Sequence, residues 1–389
     1  MHIFRDVRRG GWRTMIYALT VAAAAGLTLP AFAQEKETVK IGSVALMSSA
    51  YTQQGVRGMD LAVKEINGAG GVWSGHPIEL IKYDDQNKPE EAAAAAERLI
   101  SRDKAKVILG SLTTTATAAL SSVAKRRNAV LVGWSAKSEV LREGGTPLQF
   151  FLNSTVGQDT AQYSDFIVNN LKLKRVAIIA EQSDYGQSAI NSITSLWKDD
   201  PNAPEIVAIE RFDPRDTDFS PILTSIKGAM PDALYVAPGG AVETFANILK
   251  QRNQLAVPGI VLPAPGAMTG SLIGLAGEAT EGLIFGDFYS NGSELPESTD
   301  FVQRFQKEYG YPPEKMELLG YEAVTVAAKG LENAGPDGGP REIGEAISQL
   351  EMDTARGRWR FDKLGQSYQA PAGFALLTVK DGKIINYKP

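Results

Sequence analysis

Cysteine is absent from the 389-residue chain. That excludes disulfides, thiolate nucleophiles and Cys-bound metal, and with them the cysteine to which a lipoprotein leader would attach its lipid. Histidine is almost as scarce, with only His2 and His76. The nucleophile elbow G-x-S-x-G, the zinc helix H-E-x-x-H and the phosphate loop G-x-x-x-x-G-K-[ST] are all missing. The one S-x-x-K match, Ser122 to Lys125, lies inside an amphipathic stretch without its companion S-D-N and K-T-G motifs, and reads as helix surface. No catalytic residue, metal or cofactor is expected. Asp84-Asp85 could hold a cation, but adjacent acids after a strand are more often turn caps.

A surplus of positive charge is also lacking: 40 Lys and Arg stand against 45 Asp and Glu. Residues 1–33 hold four of the Arg and one Asp, so the remainder carries 36 basic and 44 acidic side chains, a net charge of −8. Nucleic-acid binding rests on phosphate neutralisation and is not expected. Long hydrophobic runs are limited to Met15–Leu29, shorter than the roughly 20 residues that span a bilayer. Arg5, Arg8, Arg9 and Arg13 precede that run, and Ala31-Phe32-Ala33 follows it. This order predicts an export leader, residues 1–33, cleaved before Gln34, and a mature chain free in the periplasm, without lipid.

What remains alternates between β-branched runs and amphipathic stretches. Strands are predicted at 39–46, 78–84, 106–109, 129–132, 175–180, 206–212, 233–236, 259–262 and 283–288. Helices are predicted at 56–67, 89–101, 116–126, 160–170, 188–197 and 242–251. The strands are continuously apolar, as in sheets covered on both faces. The expected fold class is therefore α/β with parallel sheets and right-handed crossovers. About 350 residues imply two domains. Ligands of open α/β sheets lie beyond the carboxyl ends of the strands, so the informative segments are the loops that follow each strand.

Three such loops carry chemistry. Gly110-Ser111-Leu112-Thr113-Thr114-Thr115 offers hydroxyls and helix-start N–H groups, either an anion site or simple N-capping. In Gly133-Trp134-Ser135-Ala136-Lys137, Trp134 could stack on a ligand and Lys137 could supply a cation; a core Trp and a solvated Lys are the plainer readings. Glu181-Gln182-Ser183-Asp184-Tyr185-Gly186 sets Tyr185, apolar with a polar tip, at a helix start.

Several short motifs, in this order and spacing, carry a resemblance. They are Lys40-Ile41-Gly42, Gly58-Met59-Asp60-Leu61-Ala62-Val63 with Glu65-Ile66-Asn67 and Gly70-Gly71, Tyr83-Asp84-Asp85, Ile108-Leu109-Gly110, Tyr185-Gly186, Asp218-Phe219-Ser220, Glu281-Gly282 and Gly320-Tyr321-Glu322-Ala323. From residue 38 to the C-terminus the chain resembles the leucine/isoleucine/valine-type periplasmic binding proteins. The resemblance implies two Rossmann-like lobes with a ligand cleft between them and a hinge of three crossings near Ser154, Gly286 and Thr354. Lobe 1 would hold residues 34–154 and 287–354, and lobe 2 residues 155–286 and 355–389. It also implies a substrate-binding component of an ABC importer, monomeric, which closes on a small molecule and docks on a membrane permease. A ligand-sensing co-receptor is the alternative.

Carried onto this sequence, the family's carboxylate site falls on Thr114, with Thr113 and Thr115 beside it. Its amino-group site falls on Ser135 and Lys137, around Ala136. Tyr51, expected just before the first helix, and Tyr185 match its aromatics. Its second-lobe acid falls on Pro265, and a further Tyr on Gly239. An acid is thus lost and a lysine gained. The expected ligand is a carboxylate without an amino group (an aromatic, keto or hydroxy acid), held by Lys137 and the Thr loop among Tyr51, Trp134, Tyr185 and Phe288. A branched-chain or other amino acid, or an amide, is the alternative.

Overall fold

The computed structural model describes residues 36–388 apart from 138, 140, 142–145, 364, 366 and 370–373. The predicted leader and its cleavage site lie outside the described residues.

The first sheet runs in the order β2-β1-β3-β4-β5, all parallel. Its strands are β1 (Val39–Ala45), β2 (Ile78–Asp84), β3 (Val107–Gly110), β4 (Val130–Gly133) and β5 (Gln149–Phe151). Crossover helices α1 (Ala50–Gly68), α2 (Pro89–Ser101) and α3 (Thr114–Arg127) connect them. Alternate strand residues serve opposite faces, which is why the strands read as unbroken apolar runs. Val44, Ile108 and Leu131 pack with Ala92, Ala96, Leu99 and Leu120 of α2 and α3. Ile41, Leu109 and Val132 face the other way, into the core that holds Met59 and Ala62 of α1.

After α4 (Val156–Phe166), extended by a π-turn at Ile167–Leu171, the pattern repeats. Strands β6 (Arg175–Glu181), β7 (Glu205–Phe212), β8 (Ala233–Ala237) and β9 (Ile260–Pro263) form a second parallel sheet in the order β7-β6-β8-β9. Helices α5 (Asp184–Trp197), α6 (Ser220–Gly228) and α7 (Val242–Gln254) cross between its strands, and α8 (Gly270–Ala276) follows β9. β10 (Ile284–Asp287) leads out to α9 (Pro296–Tyr309), α10 (Lys315–Ala334) and α11 (Pro340–Ser348). The chain ends in β11 (Glu351–Thr354), β12 (Gly357–Phe361), β13 (Ser367–Gln369), β14 (Ala375–Lys380) and β15 (Lys383–Asn386), paired antiparallel as β11-β12-β13 and β10-β14-β15.

Three expectations shift. Helix α1 begins at Ala50, not at residue 56, so Tyr51 lies inside its first turn. The glycines Gly55 and Gly58 lower the helical signal, yet they are required by packing. A methyl on Gly58 would meet the Glu317 carbonyl oxygen of α10 at 1.9 Å, and one on Gly320 would meet that of Gly55 at 2.0 Å. β5 is three residues long and carries no periodicity to find. The resemblance implies a last passage between lobes near Thr354, with residues 355–389 in lobe 2. However, the Phe361 ring packs 5.1 Å from Phe150, and the Phe151 N–H donates to the Gly365 carbonyl at 2.7 Å. These contacts tie β12 and the segment after it to lobe 1. β14 and β15 join lobe 2, β14 by pairing with β10, whereas the strands up to Gln369 stay with lobe 1.

Candidate functional site

Loops after β3, β4, β6, β7, β8 and β9 converge on one cavity of about 250 Å³. It is walled from lobe 1 by Tyr51, Leu112, Thr113, Thr114, Thr115, Ser135, Ala136, Lys137 and Met316, and from lobe 2 by Glu181, Gln182, Ser183, Tyr185, Pro214, Gly239, Gly240 and Gly266, with Asn87 and Asn153 at its edges. These are the carboxyl ends of both parallel sheets, where the fold leaves backbone groups unpaired.

The lobes touch across the cavity. The Tyr51 hydroxyl donates to the Ala267 carbonyl at 2.7 Å, Ser49 Oγ to the Gly240 carbonyl at 3.2 Å, and Thr115 Oγ1 to Asp184 at 3.3 Å. Glu314, at the N-cap of α10, closes a capping box with Glu317. The same carboxylate accepts from Gln54 Nε2 at 2.9 Å. From the other lobe it accepts from the Thr269 hydroxyl at 2.6 Å and the Gly270 N–H at 2.8 Å.

Of the predicted residues, Tyr51, Thr113, Thr114, Thr115, Ser135, Ala136, Lys137, Tyr185 and Gly239 line the cavity. Thr113 is the N-cap of α3, its Oγ1 accepting from the Ala116 N–H, while the buried Thr114 hydroxyl spends no hydrogen bond within the described protein. Among the described residues Ser135 Oγ has only the Met316 sulfur as a partner, at 3.7 Å. Its carbonyl accepts from Asn153 Nδ2. The Tyr185 hydroxyl reaches the Pro265 carbonyl at 3.4 Å, and burial pushes its phenol far above the ordinary range.

Three predicted residues do not line the cavity. Trp134 is fully buried, its ring against Gly55, where a methyl would come within 2.6 Å. Large aromatics are usually spent in packing, and this one joins β4 to α1. Pro265 is buried and contributes only its carbonyl. Phe288 is a hinge residue, with Lys315 5.5 Å and Arg356 5.2 Å from its ring centroid.

Lys137 needs the largest correction. It was expected to meet the ligand as a cation, but its ammonium is ion-paired with Asp159 in the first turn of α4, with side-chain exposures of 5% and 2%. Ser154 Oγ also lies 3.3 Å from Nζ. A second buried pair, Lys315 with Asp287, stands beside it. Gly266 abuts both lysines. Burial depresses the Lys315 pKa against the upward pull of Asp287. Lys137 of lobe 1 is therefore neutralised by Asp159 of lobe 2, and Lys315 by Asp287 at the end of β10.

The residue that sequence reasoning passed over is Glu181. It ends β6, is only 8% exposed and faces the cavity. Burial raises its pKa, and the Ser183 hydroxyl bond only partly offsets this. Its signal was an acid closing an apolar strand four residues before Tyr185. Asp84 and Asp85 act as turn caps. Asp84 accepts from the Met47 and Gln86 N–H groups, and Asp85 from the Asn87 N–H and the Ser111 hydroxyl.

A family model described as periplasmic binding protein matches residues 38–383. A protein of Pseudomonas aeruginosa named as an amino acid binding protein is 26% identical over 356 residues, covering 91% of this chain and 93% of its own. The branched-chain amino acid substrate-binding protein of Streptococcus pneumoniae, solved with isoleucine, superposes with a TM-score of 0.80 at 25% identity, covering 90% of this chain and 98% of that one. A Rhodopseudomonas palustris solute-binding protein solved with benzoate has the same fold, with a TM-score of 0.81 at 22% identity over 90% of this chain and 95% of that one. No helix among the described residues is long and apolar enough to cross a membrane. With two parallel-sheet lobes meeting over a strand-end cleft and a family match along nearly all of the described chain, this protein belongs to the periplasmic binding protein family, as a non-enzymatic substrate-binding component of an ABC transporter.

Proposed function

We propose that the chain captures a small carboxylate-bearing solute between its lobes and carries it, closed, to a membrane permease. The observation behind this reading is the uncommitted Thr114 hydroxyl at the start of α3. There the first helical N–H groups have no intrahelical acceptor, and an anion is favoured by the helix dipole. Ser135 Oγ, held among the described residues only by a thioether, stands ready as a second donor. Hydrogen bonds to a carboxylate are of the stronger, charge-assisted kind. Tyr51, Tyr185, Leu112 and Met316 supply the apolar wall. A cavity of about 250 Å³ is below the ~300–1,000 Å³ of drug-sized sites, which favours a small solute. The fold accommodates isoleucine in one relative and benzoate in another, and both ligands bring a carboxylate.

Calorimetric titration with acid and amide partners, benzoate against benzamide and leucine against leucinamide, tests the reading. The acid of at least one pair should bind more than about tenfold tighter, a difference of ~1.4 kcal/mol, and Thr114→Val should erase that margin. Amides binding as well as acids, with Thr114→Val indifferent, would refute it.

The chain is further proposed to be exported and released into the periplasm as a monomer without lipid. The basic start, the apolar run Met15–Leu29 and Ala31-Phe32-Ala33 support cleavage before Gln34. Terminal sequencing of the secreted protein, which should begin at Gln34, and its mass in solution check both points.

A further inference from the structure

Asparagine followed by glycine occurs twice in the chain, at Asn67-Gly68 and Asn291-Gly292. The pair is chemically reactive. Glycine has no side chain to crowd its backbone nitrogen and moves easily between backbone conformations, so that nitrogen can reach the carboxamide carbon of the asparagine before it. The fold decides whether it does, and it holds the two pairs in opposite ways.

Asn67 lies in the last turn of α1, with Gly68 still helical. Helical geometry points each N–H along the axis toward the carbonyl four residues earlier, away from the side chain of the residue before it. The Asn67 carboxamide is also held at both ends by Ile78, where Nδ2 donates to the carbonyl at 2.9 Å and Oδ1 accepts from the N–H at 2.7 Å. Asn291 has neither restraint. It lies between β10 and α9, in a turn that the Ser293 N–H closes on the Ser290 carbonyl at 3.1 Å. Asn291 and Gly292 are the two central residues of that turn, and both are exposed. The Asn291 carboxamide makes no hydrogen bond within the described protein. The Gly292 N–H has only the Ser290 hydroxyl among the described residues, at 3.3 Å. Beyond its chain neighbours, an ideal methyl on Gly292 would meet that hydroxyl oxygen alone, at 3.6 Å, so nothing blocks the approach.

We infer that Asn291 is a site of spontaneous deamidation in the folded protein, whereas Asn67 is protected by its helix. The Gly292 nitrogen, its proton taken by hydroxide, forms a bond to Asn291 Cγ. The Cγ–Nδ2 bond breaks, ammonia leaves, and a five-membered imide closes. Water then opens the ring. Breaking the new Cγ–N bond leaves an aspartyl residue at position 291. Breaking the bond from the Asn291 main-chain carbonyl carbon to the Gly292 nitrogen leaves an isoaspartyl link, in which the main chain runs through the side chain. One water is taken up and one ammonia released, with no oxidant or reductant. Each event adds a negative charge. Position 291 is not among the residues that wall the cavity, so the more acidic form accumulates with the age of the molecule without touching the capture site.

The test is incubation of the full folded protein in warm, mildly alkaline buffer, followed by peptide mapping with mass spectrometry and an assay for released ammonia. Asn291 should convert at least about tenfold faster than Asn67, a barrier difference of ~1.4 kcal/mol, and should yield both aspartyl and isoaspartyl peptides. In urea, where the helix is gone, the two positions should convert within about threefold of each other. Gly292→Ala, whose methyl has room, should slow conversion at position 291 at least about tenfold without lowering the melting temperature. Asn291→Gln should remove the more acidic form from an isoelectric-focusing gel. Native protein in which Asn67 converts as fast as Asn291 overturns the inference, as does native protein in which Asn291 survives while the urea-unfolded chain converts. So does an acidic form that still accumulates in Asn291→Gln.

Discussion

Replacing Lys137 by Met should destabilise the protein strongly while barely changing carboxylate binding. Lys137 and Asp159 are 5% and 2% exposed and ion-paired. Removing one partner of such a pair leaves a buried charge and costs roughly 3–5 kcal/mol. Asp159 would retain the Ser154 hydroxyl at 2.7 Å and its place in the first turn of α4, a position worth about 0.3–1 kcal/mol to an acid. The expected loss is therefore near the lower end, ~3 kcal/mol. The double variant Lys137→Met with Asp159→Leu removes both charges and should recover most of it. Urea unfolding of the wild type, both single variants and the double variant gives the coupling energy directly. Affinity for the tightest carboxylate probe should change less than about threefold, an effect under 1 kcal/mol, because the ammonium is already neutralised. A single variant within ~1 kcal/mol of wild type, with affinity down more than about tenfold, would show that Lys137 meets the ligand as a free cation and that the pair is not what holds it.

Three further outcomes follow from the same geometry. Glu181 has a folded-state pKa raised above its ordinary 4.5 by burial. Between those two values the native state binds more protons than the unfolded chain, so ligand-free stability falls as pH rises through the window. Glu181→Gln should therefore match wild type near pH 4.5 and exceed it progressively above, in urea unfolding across pH; a constant gap would refute the assignment. Gly320→Ala should cost about 1–3 kcal/mol through overpacking, since its methyl meets the Gly55 carbonyl oxygen at 2.0 Å. On helix propensity alone the same change would stabilise by up to ~1 kcal/mol, so the sign in a urea melt decides. Glu314→Ala removes the acceptor shared by Gln54, Thr269 and Gly270 and should weaken ligand affinity several-fold while raising the ligand-free radius of gyration in X-ray scattering. If neither moves, the contact does not hold the lobes together.

The parallel sheets were legible because both faces of each strand are covered, so runs such as Ala233–Ala237 are wholly buried and read as apolar from sequence alone. The strand-end rule then pointed to the loops that wall the cavity. The failures have local causes. The first turn of α1 was hidden by glycines whose purpose is contact with α10, and β5 was too short to show a period. Trp134 and Lys137 sat in the right loop, but a loop does not reveal where its side chains turn, and these two turn to Gly55 and Asp159. Glu181 was missed because the resemblance puts the family's acid at Pro265, after β9, whereas the buried acid of this chain ends β6, two strands away in the sheet. Charge pairing across 22 residues, as in Lys137 with Asp159, depends on the fold and leaves no mark in a linear pattern.

The Glu314 contact makes the cleft self-reporting. One carboxylate in lobe 1 receives the Gly270 N–H that opens α8 in lobe 2. When the lobes separate, that amide loses its acceptor to water, and the first turn of a seven-residue helix loses part of what holds it. Amide exchange at Gly270 would thus count the open molecules in a population without any label attached. Because apparent affinity is reduced by the fraction of molecules not in the binding-competent state, the same exchange rate would show how much of a weak affinity belongs to the ligand and how much to the hinge.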